Sequence, residues 1–316
     1  MPAPFFAQSV VILFERAPDP QTLAAALSTF EIARVFEPEP HAAWMGGHPG
    51  LLLAHRPDRN GYALVDVIDA PWPDDMGDPK GDVALFGAWS MGWLGPHVFP
   101  DNLARALRQP TELADASEVV GRHRAFVRVQ LSYVLGASGD SPIAPPDRDH
   151  LAELDFVTAV GRALLNVPGA LAWFDANGEV LHSLESLESS IAFYGEHAQP
   201  PLDLWTHVRM IDPQLPERWF LMDTIGLEQL GVIDMEACIP PALEDLSAVV
   251  RFLRGAANYL VTTRAVIDDG NTIDGPGGLW RGFAFDESLA PRPRSVLRWY
   301  QVEGPRPPAV FGFGDR

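Results

Sequence analysis

Ser90 lies in Ala88-Trp-Ser-Met-Gly92, with a small residue two places before it and two places after. A nucleophile elbow uses that spacing: a strained turn between strand and helix lifts a serine hydroxyl out for acyl transfer. Val83 to Phe86 is apolar enough to be the strand, but Trp93-Leu-Gly-Pro96 breaks any following helix at once. The segment reads instead as Trp-rich packing. The paired carboxylates Asp74 with Asp75, Glu185 with Glu188 and Glu244 with Asp245 could do acid–base work in any acidic protein and read as solvated faces. A hydrolase using Ser90 or carboxylates is the enzymatic alternative; no catalytic residue is assigned.

Oxygen ligands gather at Asp268, Asp269, Asn271 and Asp274. An EF-hand register fails there. Counted from Asp268, Gly270 takes the third position; counted from Asp269, Ile273 takes the fifth. An irregular calcium loop is the one metal candidate, against an Asx/Gly turn leading into a strand. Gly275-Pro-Gly-Gly278 runs into Leu279-Trp280 rather than a helix N-terminus, so it makes a poor phosphate cradle. No dinucleotide or P-loop fingerprint occurs, and no cofactor is expected. His150 and Glu153 sit three apart on an expected helix and read as a surface polar pair.

The most unusual segment is Asp69-Ala-Pro-Trp-Pro-Asp-Asp-Met-Gly-Asp-Pro79. Three prolines stiffen it, which lowers the entropy lost on ordering. It sets Trp72 among Asp74, Asp75 and Asp78, with Trp89 and Trp93 close in sequence. A rigid aromatic ringed by carboxylates suits an interface for a basic partner; the competing reading pins Trp72 into the core.

The elements that must position these residues follow from hydrophobic period. Ser9 to Phe14 is an apolar β-branched run, hence a strand. Asp19-Pro20 opens a helix whose apolar spacing runs to about Phe36. Leu51 to His55, a turn at Asp58-Arg-Asn-Gly61 and Tyr62 to Ile68 form a hairpin. The order then recurs. His123 to Val134 alternates, with Arg128 and Gln130 among apolar residues. Asp147 precedes a helix carrying Leu151 to Leu165, and Leu171 to Phe174, Asp175-Ala-Asn-Gly178 and Val180 to Leu181 form a second hairpin. The recurrence suggests a duplicated βαββ unit of ferredoxin-like type. Strands are expected at 204–210, 218–223 and 231–238, then a helix at 243–260, a glycine-rich loop at 268–278, a strand at 295–300 and a loose tail from Gly304.

Forty-two acidic against 23 basic residues give a net charge of −19. That field disfavours nucleic acid and anionic lipid and attracts basic proteins. Lys80 is the only lysine, and Cys238 the only cysteine, which excludes an intrachain disulfide and a cysteine-based zinc cluster. The N-terminus lacks a basic n-region, and no apolar run reaches the ~20 residues of a membrane span. A cytoplasmic protein is expected.

Six motifs carry a family resemblance: Asp69 to Asp78, Ala125 to Tyr133, Asp203-Leu-Trp-Thr-His-Val-Arg209, Met222-Asp-Thr-Ile-Gly226, Asp269-Gly-Asn-Thr-Ile-Asp-Gly-Pro-Gly-Gly278 and Val296-Leu-Arg-Trp299. With these the chain resembles the bacterial family called domain of unknown function 4261, most closely in the last three. The resemblance implies no established activity and no site residue. Families of this kind sit among bacterial toxin–immunity and secretion genes, which gives the partner expectation its sharpest form.

The reading is therefore an α/β (α+β sandwich) fold of antiparallel sheets with packed helices, built from duplicated βαββ units plus a C-terminal extension. The halves are 1–137 and 138–316. The expected function is binding of a basic protein, most sharply as an immunity protein against a cognate toxin, through Trp72, Asp74, Asp75, Asp78, Trp89 and Trp93. The alternative is a non-catalytic structural or regulatory module, dimeric through a sheet edge.

Overall fold

The computed structural model describes residues 6–39, 44, 46–110, 112–135, 143–215 and 218–314. Met1 to Phe5, Ser141 and the 137/138 division lie outside them. The chain forms two compact units, Met1–Leu204 and Trp205–Arg316, with one mixed α/β architecture each and, among the described residues, seven α-helices. The division after Leu204, not near 137, follows from pairing: the strands at 170–182 belong to the same sheet as the first strand of the chain. No described helix is long and apolar enough to cross a membrane.

In the first unit, β1 (Gln8–Phe14), β2 (Ile32–Phe36), β3 (Gly50–Arg56), β4 (Gly61–Ile68), β5 (Ala125–Ser132), β6 (Ala170–Asp175) and β7 (Val180–His182) form one antiparallel sheet of order β2-β3-β4-β5-β1-β6-β7. β1 and β5 are buried along their whole length, because helices cover both faces. On one face α5 (His150–Leu165) packs with α1 (Pro20–Ala26) and α6 (Leu184–Glu196). Gly161 of α5 lets the ring of Trp173 approach: a Cβ there would meet Trp173 Cζ3 at 2.5 Å. On the other face α2 (Val83–Ser90), α3 (Asn102–Arg108) and α4 (Ala116–Arg122) bury Leu85, Trp89, Leu103 and Val120 against Val11, Leu13, Phe126 and Phe174.

Several expectations are corrected here. The first helix ends at Ala26, and Ile32–Phe36 is an edge strand. Its β-branched Ile32 and Val35 pair with β3 rather than continuing a helical stripe. Val83 to Phe86 is helix, not strand. The polar positions in the alternation of β5, Arg128 and Gln130, are fully buried. At the first turn Asn60 takes the left-handed conformation (φ 58°), whereas at the second it is Glu179 (φ 54°). Nor does the order of pairing repeat. β6 lies parallel to β5 across β1, as in a split β-α-β unit, and the second hairpin thus joins the centre through its first strand. The first hairpin joins through its second strand, β4. A duplicated ferredoxin-like arrangement is not demonstrated.

The second unit has a six-stranded sheet, β11-β12-β13-β10-β9-β8, from β8 (His207–Ile211), β9 (Phe220–Ile225), β10 (Asp234–Ile239), β11 (Thr272–Gly275), β12 (Gly278–Phe285) and β13 (Val296–Gln301). Only β10 and β13 run parallel. The helix expected at 243–260 is α7 (Leu246–Thr263), started by the Asp245 side chain accepting from Ala248 N. It lays Val249, Phe252, Leu253 and Leu260 on one sheet face, beside Trp280 and Trp299. The glycine-rich stretch 268–278 is part of the β11–β12 hairpin. The tail is not loose: Phe311 and Phe313 are buried against Trp219, Leu221, Cys238 and Tyr300 on the opposite face.

Candidate functional site

Residues 69–78 are held from inside. Trp72 packs edge-on against Trp89, Phe126 and Phe174 at ring distances of 6.3, 5.2 and 5.6 Å. Its indole N–H donates to Asn102 Oδ1 (2.9 Å) and its backbone N–H to His123 Nε2 (3.0 Å). The His123 Nδ1–H therefore donates to the Val120 carbonyl, which fixes one neutral tautomer. Asp101, at the cap of α3, has left-handed backbone and offers no side-chain bond. Asp74 supplies the cap instead, accepting from Leu103 N (2.8 Å) and Ala104 N (2.7 Å). Burial pushes its carboxyl above the usual range despite those two bonds. Asp75 and Asp78 are exposed, accepting from Gly77 N and Lys80 N in local turns.

Of the six expected partner residues, Trp72 and Trp89 are turned inward and pack on each other. Trp93 is half-buried, edge-on to Phe6, and its carbonyl accepts from Arg128 and Gln130.

Ser90 ends α2 rather than standing at a strand-to-helix turn, so the elbow geometry is missing. In the calcium candidate, Asp269 accepts from Ala284 N and Asn271 Oδ1 from Asp268 N. These are turn and hairpin bonds, and among the described residues no group of three or more His, Cys, Asp or Glu could hold a metal. Glu153 is not a surface residue. It is fully buried and accepts from Tyr133 Oη (2.7 Å) and Arg148 Nη2 (2.7 Å). Burial first, then that carboxylate, raises the Tyr133 pKa. A lone glutamate in the apolar first turns of a helix was the signal for it.

Cavities among the described residues include two of moderate size. One, of about 360 Å³, lies on the β2–β4 part of the first sheet, among Arg34, Phe36, Glu37, Glu39, His48 and Trp93, with Asp66 at its floor. Asp66 is bound by both Arg128 Nε (3.0 Å) and Nη2, and this pair is almost wholly buried. The other, of about 310 Å³, lies in the second unit among Tyr259, Val266, Ile273 and Trp299.

The second unit also carries a buried charge network that sequence reasoning missed. Arg209 makes two bonds to Asp223 (3.1 and 2.6 Å). Arg294 bridges Asp223 and Asp234 and donates to the Thr224 and Arg292 carbonyls. Glu236 accepts from Leu289 N, Ala290 N and Arg298 Nε, and Arg298 also donates to the Phe311 and Glu287 carbonyls. Burial raises the Asp234 pKa against the opposing pull of Arg294. The irregular chain at 286–294 has no ladder to satisfy its backbone, so side chains from β10 and β13 do so.

Residues 223–300 match the family model described as Domain of unknown function (DUF4261). The matched segment begins within β9 and ends within β13. It contains the resemblance motifs at 269–278 and 296–299 and Asp223 to Gly226 of the motif at 222–226; the three motifs before residue 210 lie outside it. Within the matched segment fall Asp223, Asp234, Glu236, Arg294 and Arg298, five members of the charge network. No curated protein and no solved structure matches the chain.

Proposed function

We propose that this protein is a non-catalytic structural or regulatory module. The observation that supports it is the placement of five ionisable groups whose pKa is shifted. Asp74, His123, Tyr133, Asp234 and Arg294 fasten backbone segments or one another. None of them lines either cavity. Perturbed groups converging in a cleft are the usual mark of catalysis; here they act as fasteners. The test is turnover of ester, phosphoester and peptide substrates by the wild type and by His48→Ala and Glu37→Gln/Glu39→Gln. No turnover is expected. Turnover abolished by the cavity substitutions would overturn the reading.

A second reading has its own support in the distribution of charge. Six buried or nearly buried arginines sit in ion pairs with acids: Arg105, Arg128, Arg209, Arg292, Arg294 and Arg298. Pairing removes arginines and acids alike, so the net −19 is left to a surface poor in cations. Such a surface favours a basic protein partner, with an immunity protein against a basic toxin as the sharpest form, and suits a cytoplasmic location. Retention of that partner should fall steeply between about 50 and about 500 mM salt as the Debye length shortens. Salt-insensitive retention would count against it.

A further inference from the structure

The first sheet ends at β2, which among the described residues is paired on one side only, with β3. Ala33, Arg34 and Val35 are exposed, Val35 at 54%. A free edge of this kind offers backbone donors and acceptors to another extended chain. Arg34 and Phe36 of the same strand, with Glu37 and Glu39 just beyond it, line the 360 Å³ cavity. Edge and cavity are therefore contiguous. A strand added to β2 sends alternate side chains to the cavity face.

Charge selects the occupant. A second copy is the first candidate, and an antiparallel register centred on Arg34 sets Ala33 opposite Val35, across the β-bulge between Ile32 and Arg34. That same register sets Arg34 against Arg34, and like charges directly opposite are destabilising. A basic segment instead meets Glu37 and Glu39 with opposite sign. Within the cavity Asp66 is spent on Arg128, and the Arg34 guanidinium lies over the Phe36 ring, 4.8 Å from its centre. The acidity left for a newcomer is that of Glu37 and Glu39, with Trp93 and Phe36 as apolar walls. A lysine or arginine suits such a pocket, its alkyl stem on the rings and its cation at the carboxylates.

We propose that the β2 edge is a docking site for an extended basic segment of a protein partner, which adds a strand to the sheet and places a cationic side chain in the adjoining cavity. The proposal rests on the basic-partner reading and says where and how that partner is held.

The test uses the full chain and a fluorescent octapeptide of alternating lysine and threonine. Two further peptides accompany it: one with every backbone amide N-methylated, which has no N–H to give a ladder on either edge, and one with glutamate for lysine. The lysine peptide is expected to bind and to protect amides within residues 32–36 from exchange. The methylated peptide and the Glu37→Lys/Glu39→Lys protein should each bind about tenfold more weakly, and the glutamate peptide should not bind. Glu118→Lys/Glu196→Lys makes the same change in net charge on α4 and α6, at exposed positions, and should leave affinity within about twofold. Equal losses in the two double variants would overturn edge docking yet leave the basic-partner reading standing. An undiminished methylated peptide, no binding at all, or a dimer with protected β2 amides would also overturn it.

Discussion

Arg128 and Asp66 face each other across β5 and β4 with side chains 0% and 3% exposed. Removing one member leaves the other charge buried and alone, which costs far more than the pair contributes. Arg128→Met is expected to lower stability by about 3–5 kcal/mol in urea unfolding, and Asp66→Asn/Arg128→Met to recover most of it. Equal losses in single and double variants would contradict this. His123 makes a second prediction at this scale. Burial lowers its pKa from the ordinary 6.5, against the opposing hydrogen bond to Val120. A proton on Nε2 would also meet the Trp72 N–H already pointing there. With the folded pKa below the unfolded one, the stabilisation is complete above pH 6.5 and is lost as pH falls through the folded value. The fall in Tm between about pH 6.5 and about pH 5 should be smaller in His123→Gln than in the wild type. A constant difference across that range would exclude His123 as the cause.

At the scale of elements, α5 is placed by what it lacks. Gly161→Ala gains about 1 kcal/mol of helix propensity but drives a methyl into the Trp173 ring, for an expected net loss of about 1–3 kcal/mol. Gly255→Ala in α7, with nothing within 4 Å of its added Cβ, should instead be neutral or stabilising by up to about 1 kcal/mol. Thermal unfolding of the two variants separates packing from propensity. The strands β1, β3, β4, β5 and β6 and the helices α5 and α7 were legible because their apolar period is strong. The segment 32–36 was misread because Leu23, Leu27 and Phe30 set a helical rhythm that seemed to continue through it. α2, α3 and α4 are short and rich in Gly, Trp and Arg, with no decisive period. Within the candidate site, Trp72 was legible as an anchor but not in its direction, since the sequence is the same whether the ring faces solvent or Phe126. Lone charges of opposite sign in apolar strands, such as Arg128, Asp223, Glu236 and Arg298, were the overlooked signal. Each is tolerable there only with a partner.

At the scale of the whole molecule, the two units each have their own sheet and core, and they spend charge in the same way. In each, ion pairs are sealed inside, and in the second they tie irregular chain to the sheet. The single thiol belongs to the second unit. Cys238 lies on β10 beneath Phe311 and Phe313, fully buried, and burial pushes its pKa well up. It should be inert toward an aromatic disulfide reagent in the native state and react only when that unit opens. Rapid modification of native protein would contradict the tail's placement. The position of Cys238 thus gives the chain a built-in clock. Because the first unit contains no sulfhydryl, the pace of its modification counts the openings of one half of the protein while the other half stays silent.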